Sequence, residues 1–317
     1  MTDSLQPAAS PLDAASAQSD DAVSSEQALR EALFARLDDL TAEEGHFEPV
    51  GARHWALFED LGTTLLVSFE QLDAILGREN GMPWGHAIAV ERGWSHLCLI
   101  ADGETWFRDP AVYRHFDRLV DDAFFEDFDQ VLFYGHGLGG HAACAYSVTA
   151  PGAHVLAMSP VATLTGSETG WDPRRPAARR MDFTTRYGYA PDMLEGAGKV
   201  VVIHDLTHRE EAMHSALFRA PWVTRLSAPL MAERIEWAMR QMGVLPQLID
   251  LAMAGKLDRT AFARIWRKRR AFSPYLRTLL EKTEIAQKKA RSIAICKSVT
   301  RRIKSPYFNK KLAKLTR

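Results

Sequence analysis

The sequence predicts an α/β fold built on a mostly parallel sheet, with a basic helical extension at the C-terminal end. Three observations indicate this fold. Short apolar runs typical of buried strands alternate with helical patterns over about residues 54–226. In mid-chain, a glycine-rich turn joins such a strand to a helix of small residues, at Val131–Ala145. After Pro229 the apolar spacing is helical throughout, and basic residues crowd the last helices.

The first part of the chain is predicted to hold a tail, a helix and two strands. Residues 1–25 are rich in Ala, Ser, Asp and Pro, a composition typical of a disordered acidic tail. Apolar residues recur at helical spacing over 26–40. Strand patterns follow at His54–Glu59 and Thr63–Phe69. Because Gly62 indicates a turn between them, a hairpin or meander is expected.

The same patterns predict the remaining elements. Strands are expected at Ser95–Ala101, in the run before Gly135, and at His154–Ser159, Lys199–His204 and Trp222–Leu226. Helices are expected at Ala111–Phe125, Glu210–Phe218, Leu230–Met242, Leu245–Met253, Thr260–Phe272, Tyr275–Thr283 and Ile285–Val299. The basic segment from Arg301 to Leu315 is expected to be a flexible arm with a few apolar anchors.

The glycine-rich turn has the layout of a nucleophile elbow. In the G-x-S-x-G turn of α/β hydrolases, a serine stands between strand and helix, and small neighbours allow the strained backbone. Here Gly135, Gly137 and Gly139 keep the small residues, but Gly137 occupies the nucleophile's position. Amides at the start of the following helix can still hold an anion. We therefore predict an oxyanion- or anion-binding site at Gly137, Leu138 and Gly139 without a nucleophile.

A hydrolase triad also needs an acid and a histidine later in the chain, in the order Ser, Asp, His. Asp205 follows the strand that ends at His204, where this fold presents its acid. The last histidine is His214, directly after that strand, and none follows the last predicted strand. Because nucleophile and base are both missing, no working Ser-His-Asp triad is expected.

Histidines near the same sheet edge offer a second route to chemistry. His136 and His141 flank the glycines, and His204 and His208 flank Asp205. If these groups meet at the carboxyl edge of the sheet, they could bind a transition metal. None of the spacings between these residues is that of a recognised metal-ligand pair. The favoured interpretation is therefore that the histidines lie over a pocket without a catalytic group and hydrogen-bond to the backbone. We predict no metal and no cofactor, and the candidate catalytic residues are Asp205, His136, His204 and His208.

The glycines also match the dinucleotide-binding pattern G-x-G-x-x-G, through Gly135, Gly137 and Gly140. That pattern usually lies in the first strand–helix unit and precedes an acidic residue by about 20 positions. Here it lies in mid-chain, and the next strand ends in Ser159 and Pro160 without a carboxylate. A dinucleotide site is therefore disfavoured against the alternative that the glycines allow close strand–helix packing.

Charge is distributed unevenly along the 317 residues. From Lys256 to Arg317 there are 20 Lys or Arg and three acids, a balance of about +17 in a chain of net charge −1. Such asymmetry indicates either an anionic partner, which could be a membrane surface, a polysaccharide or nucleic acid, or an intramolecular contact between a solvated basic face and the acidic tail. Residues 171–191 lie where hydrolase-like folds carry a lid. An anionic ligand there could meet four arginines, Arg174, Arg175, Arg179 and Arg180, although a solvated loop is the favoured interpretation.

Cysteine usage and the N-terminus bear on the compartment. Three cysteines without regular spacing predict neither disulfides nor a zinc motif. The first residues lack the basic and apolar regions of a signal peptide, and no apolar run has the length of a transmembrane helix. A cytoplasmic location is therefore expected.

Residues 54 to about 240 resemble an uncharacterised bacterial group of α/β-hydrolase-like proteins. The motifs are Tyr-Gly-His-Gly-Leu-Gly-Gly-His at 134–141, Ala-Met-Ser-Pro-Val-Ala-Thr-Leu at 157–164 and Trp-Asp-Pro-Arg at 171–174. Gly137 and His141 depart from the usual elbow of such proteins. The resemblance implies the fold and no particular reaction. Some relatives carry the label phosphoadenosine phosphosulfate reductase, which this sequence does not support because it has no Ser-Gly-Gly-x-Asp-Ser-type loop.

These observations predict a catalytically degenerate α/β-hydrolase-like protein that acts as a binding or scaffold protein with an anionic partner. The expected organisation is a tail over 1–25, an α/β-hydrolase-like domain over 26–242 and a basic helical extension over 243–317. The alternative is an unconventional hydrolase or transferase that uses Asp205 and the nearby histidines.

Overall fold

Eight strands form one sheet in the computed structural model, which describes residues 27–316. They are β1 (Gly45–Pro49), β2 (His54–Glu59), β3 (Thr64–Gln71), β4 (Ser95–Ala101), β5 (Gln130–His136), β6 (His154–Met158), β7 (Val200–His204) and β8 (Val223–Ser227). Their order across the sheet is β1-β2-β4-β3-β5-β6-β7-β8. β2 runs antiparallel to β1 and β4, and the other neighbouring pairs are parallel. The predicted mostly parallel sheet is confirmed, and the predicted tail lies outside the described residues.

The α-helices of this part of the chain are α1 (27–41), α2 (Leu72–Leu76), α3 (Trp84–Arg92), α4 (Pro110–Asp121), α5 (Leu138–Tyr146), α6 (Gly166–Thr169), α7 (Arg209–Leu217), α8 (Ile235–Gln241), α9 (Leu245–Met253), α10 (Arg259–Trp266), α11 (Ser273–Ile285), α12 (Lys289–Thr300) and α13 (Pro306–Thr316). None of the helices over 27–316 has the length and apolar character needed to cross a membrane.

Helices cover both faces of the sheet. Side chains alternate along a strand, so Val131 and Phe133 of β5 point to one face while Leu132 and Tyr134 point to the other. α4 and α5 pack on the first face. α1, α2, α3, α8, α9 and α10 pack on the second. The central strands are therefore buried on both sides, which explains why their sequences are continuous apolar runs.

β2 and β3 do not form the predicted hairpin. β4 lies between them and pairs antiparallel with β2 and parallel with β3. The chain passes from β3 through α2 and α3 to β4, which is the helical crossover that parallel strands require. The physical reason is in β3 itself, because all five residues of Leu65–Phe69 are buried. That pattern belongs to a central parallel strand and not to a hairpin arm.

The basic C-terminal part of the chain packs in two ways. α9 and α10 bury side chains such as Leu248 and Trp266 in the same cluster as residues of β5–β8. α11, α12 and α13 form a small core of their own around Leu280, Cys296 and Phe308. The predicted flexible arm is wrong over α13, because burial of Phe308 in this core holds the segment as a helix. The division of the chain at 242 stays a prediction, with α9 and α10 beyond it packed on the sheet.

Candidate functional site

The turn between β5 and α5 has the backbone geometry of an elbow. Gly137, at its tip, has φ 58° and ψ −117°, a combination that residues with side chains rarely adopt. Its N–H donates to the Met158 carbonyl at 2.9 Å, and its carbonyl accepts from the His141 N–H at 3.0 Å. A Cβ added at Gly137 would have no atom within 4 Å, so the nucleophile's position is open space. A Cβ added at Gly139 would overlap the Phe69 carbonyl, so this glycine is required for close packing.

The first turn of α5, directly after the elbow, has backbone amides without hydrogen-bond partners inside the helix. The N–H of His141 makes the first hydrogen bond of the helix, to Gly137, so the amides before it lack intrahelical acceptors. Leu138 and Gly139 therefore keep the predicted capacity to hold an anion. Gly137 does not, because its N–H is donated to Met158. The predicted anion-binding site stays a prediction, and it now rests on Leu138 and Gly139.

Asp205 is buried and organises the loops around it. One carboxylate oxygen accepts from the Thr207 N–H at 2.7 Å and from the Thr207 hydroxyl at 2.6 Å. The other accepts from the Ala232 N–H at 2.9 Å. These bonds tie the β7–α7 loop to the segment after β8. No histidine of the described chain hydrogen-bonds to this carboxylate, so the Asp–His pair of the alternative mechanism is not formed.

The candidate histidines do not gather around that acid. Nδ1 of His136 is 3.9 Å from Glu236, and Nδ1 of His208 is 3.6 Å from Glu210. His204 is buried, and burial lowers its pKa. Across residues 27–316, no three His, Cys, Asp or Glu side chains are grouped so as to hold a metal ion. The structure therefore leaves the three candidate histidines as separate side chains.

A cavity of about 180 Å³ lies beside the elbow at the carboxyl edge of the sheet. Its lining includes Trp106, His136, Gly137, Leu138, Ser159 and Glu211. The Ser159 hydroxyl donates to Oε2 of Glu211 at 3.1 Å, and the Asp205 N–H donates to the same oxygen at 2.8 Å. Burial raises the pKa of the Glu211 carboxyl. Sequence reasoning missed Glu211, because only the fold brings the start of α7 back to the end of β6.

Four charged side chains at this cavity pair with one another. Arg175 pairs with Glu104 at 2.7 Å and with Glu233 at 3.1 Å, and Arg174 pairs with Glu233 at 3.2 Å. Arg179 donates to backbone carbonyls of its own segment. Three of the four arginines predicted to meet an anionic ligand therefore have partners within the protein, and that expectation is corrected for them.

A buried acid–base pair fixes the 171–191 segment. Nε2 of His214 donates to Asp172 at 2.9 Å, and Nδ1 of His214 accepts from the Ala162 N–H at 3.3 Å. The imidazole is neutral, because an Nδ1 that accepts a hydrogen bond carries no proton, and burial lowers its pKa to about 4. Burial opposes ionisation of Asp172, but hydrogen bonds from Arg174 outweigh it and hold the pKa of this carboxyl well below its usual range. The last histidine thus anchors a loop.

A serine, a histidine and a carboxylate form a hydrogen-bonded chain inside the sheet. Ser68 Oγ lies 2.9 Å from Nε2 of His96, and Nδ1 of His96 lies 3.4 Å from Glu59. Glu59 also accepts from His86 at 2.8 Å. Ser68 and His96 are 0% exposed and Glu59 is 4% exposed, so substrate cannot reach the serine. The chain links β3, β4 and β2 and is structural.

The basic extension presents its charge to solvent. Of the 19 described Lys and Arg residues from Lys256 onward, 17 are exposed. In the described part of the extension, Lys311 alone among them makes an ion pair, with Glu284 at 2.7 Å. The apolar side chains of α11–α13 pack in their own core, and Ile285, 81% exposed, is the large apolar side chain left at the surface. The surface is strongly cationic and poor in apolar groups.

No protein-family model matches the chain, and no curated protein matches its sequence. Among solved structures it is similar to an esterase from Pyrobaculum calidifontis (14% identity, 73% of this chain and 91% of that chain, TM-score 0.44). It is also similar to Est1E from Butyrivibrio proteoclasticus (14% identity, 67% and 100% coverage, TM-score 0.42). A third is an acylaminoacyl peptidase from Pyrococcus horikoshii (7% identity, 67% and 42% coverage, TM-score 0.42). At these identities and TM-scores the likenesses say nothing about activity. The strand order, the elbow turn and the helices on both faces give this chain the α/β-hydrolase fold.

Proposed function

We propose that this chain is a catalytically degenerate α/β-hydrolase-fold protein that acts in the cytoplasm by binding an anionic partner. The observation that carries the proposal is Gly137, which has the nucleophile's backbone position and no side chain. A nucleophile and its base supply most of the rate in acyl transfer by such folds. Without them, binding is the function that the fold supports best.

The enzymatic alternative has less support. The Asp205 carboxylate accepts three hydrogen bonds from neighbouring loops, and His214 is neutral and donates to Asp172. A general base must lie within hydrogen-bond reach of the proton that it takes. Asp205 does not belong to the lining of the elbow cavity, and His136, which does, lies near Glu236 and does not hydrogen-bond to Asp205.

Hydrolysis of p-nitrophenyl acetate and butyrate tests the degenerate site. We expect the native protein to be no faster than the denatured protein. Gly137→Ser should be equally inactive, because a serine there would have no histidine activated as its base. Turnover by the native protein that disappears in Asp205→Asn would overturn the proposal and support the enzymatic alternative.

The extension indicates which anionic partner to test first. A helix that inserts into a membrane surface needs an exposed apolar face. Here the apolar faces of α11–α13 are turned inward, and the exposed cations are left without acidic partners apart from Glu284 within the described residues. Charge without apolar anchors favours a flexible or double-stranded phosphate polymer, so we favour nucleic acid over a membrane or a polysaccharide.

Binding of a duplex DNA of about 30 base pairs, followed by fluorescence anisotropy over a range of salt, tests this partner. The logarithm of affinity should fall linearly with the logarithm of salt, each phosphate contact adding about 0.9 to the slope. Lys288, Lys289 and Arg291 are exposed cations at the start of α12. Changing all three to glutamate should reduce the slope, because it removes three groups that can contact phosphates. Glutamates are favourable at a helix N-terminus, so the fold should be kept.

The matched control reverses three exposed arginines of the α/β part, Arg114, Arg209 and Arg219, and should leave the slope unchanged. Phosphatidylserine-rich vesicles represent the membrane surface, and heparin represents the polysaccharide. Tighter binding to either of them than to DNA would replace the nucleic acid with that partner. No binding to any of the three at low salt would overturn the proposed role of the extension.

A further inference from the structure

Three residues around the elbow cavity have positive φ, and two of them, Trp106 and Ser159, are not glycine. Gly137 has the elbow geometry given above, and two non-glycine residues have positive φ, Trp106 at 55° and Ser159 at 47°. Such conformations are uncommon and cluster at active sites and ligand clamps. The three residues belong to the loops after β4, β5 and β6. Uncommon backbone conformations from two separate loops, together with the elbow glycine, are therefore found around one small cavity.

Four residues that line this cavity carry a buried polar atom without a hydrogen-bond partner among the described residues: Trp106 (Nε1), His136 (Nε2), Arg175 (Nε) and Glu211 (Oε1). Trp106 is 1% exposed, and its indole Nε1 has no partner among the described residues. Glu211 is 4% exposed, and its Oε1 likewise has none within 27–316. Buried polar groups in proteins are nearly always paired. A ligand bound between Trp106 and Glu211 would supply partners for the unpaired atoms of these two residues.

On the β4 and β5 side of the cavity, three of the available groups are N–H donors, and His136, whose Nε2 has no partner among the described residues, belongs to the same lining. The indole Nε1 of Trp106 is an N–H donor, and the amides of Leu138 and Gly139 begin α5 at its positive end. Donors of this kind bind a carboxylate. One end of the ligand is therefore an anionic oxygen group.

On the β6 and β7 side, the available group is a carboxyl oxygen. Oε2 of Glu211 is held by the Asp205 N–H and the Ser159 hydroxyl, which leaves Oε1 without a hydrogen-bond partner among the described residues. An ammonium group satisfies such an oxygen. Apart from Glu211, the charged residues that line the cavity are two arginines and two glutamates that pair with each other, so they add no net charge. This balance favours a ligand whose own charges cancel.

We propose that the elbow cavity binds a small zwitterionic amino acid, with its carboxylate on Trp106 Nε1 and the first amides of α5 and its ammonium on Glu211. The volume of about 180 Å³ suits a ligand with a short side chain. This inference goes beyond binding of a polyanion, because it concerns a different site and a different class of ligand.

Isothermal titration of the full-length protein tests the site with glycine, L-alanine, L-serine and L-threonine, each up to about 10 mM, a range in which bound ligand also raises the melting temperature. L-Alaninamide lacks the carboxylate, N-acetyl-L-alanine lacks the ammonium, and L-lactate has a hydroxyl in its place. We expect at least one free amino acid to bind, and the first two derivatives to bind at least tenfold more weakly.

Two substitutions assign the contacts. Glu211→Gln and Trp106→Phe keep the size of each side chain and should each weaken binding at least tenfold, while Glu210→Gln on the same helix should leave it unchanged. Equal affinity of wild type and Glu211→Gln, or no binding of any free amino acid, would overturn the proposal. Tighter binding of L-lactate than of L-alanine would also overturn it, because the site would then select a hydroxy acid. None of these readouts involves DNA, so they do not depend on the proposed function.

Discussion

Gly137 and Gly139 are required for different physical reasons. At Gly137 the backbone conformation excludes a side chain, although the space is open; at Gly139 the conformation is ordinary and the Phe69 carbonyl fills the space. Gly137→Ala should lower the free energy of unfolding by about 1–3 kcal/mol, the usual cost of such a strained conformation. Gly139→Ala should lower it further, because a strand carbonyl must move. Urea denaturation measures both, and equal stability of Gly137→Ala and wild type would show that the turn is not an elbow.

For individual residues, the sequence predicts features that depend on neighbouring positions, such as the elbow. It does not predict contacts between residues that are far apart in the chain. The glycine pattern marks the elbow and its missing hydroxyl, because strand, turn and helix are contiguous. The Glu211–Ser159 contact joins residues 52 positions apart, and the Asp172–His214 contact joins residues 42 apart. Only the order of β6 and β7 in the sheet brings such residues together, so no local pattern could indicate them.

Two truncations of the chain test separately the contributions of α10 and of α11–α13 to stability. Ending the chain after Phe272 removes α11–α13, whose core is separate. Ending it after Gly255 also removes Phe262, Ile265 and Trp266, which pack with the sheet. Because each large buried side chain contributes about 1.5–3 kcal/mol, the shorter chain should melt at a markedly lower temperature. Calorimetry would measure this, and identical melting temperatures for the two truncations would show that α10 does not stabilise the α/β part.

Prediction of elements succeeded where apolar residues face the sheet. The predicted bounds of β2, β4 and α9 agree with the structure residue for residue. β1 was not predicted, because it is an edge strand with mostly exposed residues and no apolar alternation. α13 was taken for an arm because basic residues dominate it. The helical spacing of Phe308, Leu312 and Leu315 is the signal that identifies it.

For the whole molecule, four buried histidines predict the dependence of stability on pH. Burial lowers the pKa of His54, His115, His141 and His214 to about 4, from an ordinary value of 6.5. Between these values the unfolded chain binds protons that the folded chain does not. Stability is therefore complete above about pH 6.5 and should fall toward pH 4, each histidine contributing up to about 1.4 kcal/mol per pH unit.

Melting temperatures measured from about pH 7.5 to 4.5 check this dependence. His141→Gln provides the matched variant, because its amide can still donate to the Val161 carbonyl that His141 contacts at 2.9 Å. It removes one of the histidines whose pKa burial lowers, so the slope of stability against pH should become shallower. A melting temperature that stays constant from neutral pH down to about 5 would contradict the neutral state of these histidines.

The ion pairs of Arg175 have a kinetic consequence for the elbow cavity. Arg175 belongs to the segment between β6 and β7, whereas Glu104 follows β4 and Glu233 follows β8. The Arg175 guanidinium therefore cross-links three loops beside the cavity. The 171–191 segment that carries Arg175 is also held in place by the buried Asp172–His214 pair. Entry and exit of a solute both require these partly exposed pairs to open. Salt screens these ion pairs and so eases their opening, both when a solute enters and when it leaves. Raising the ionic strength should therefore speed association and shorten the residence time together. The equilibrium constant of a net-neutral solute should stay nearly unchanged.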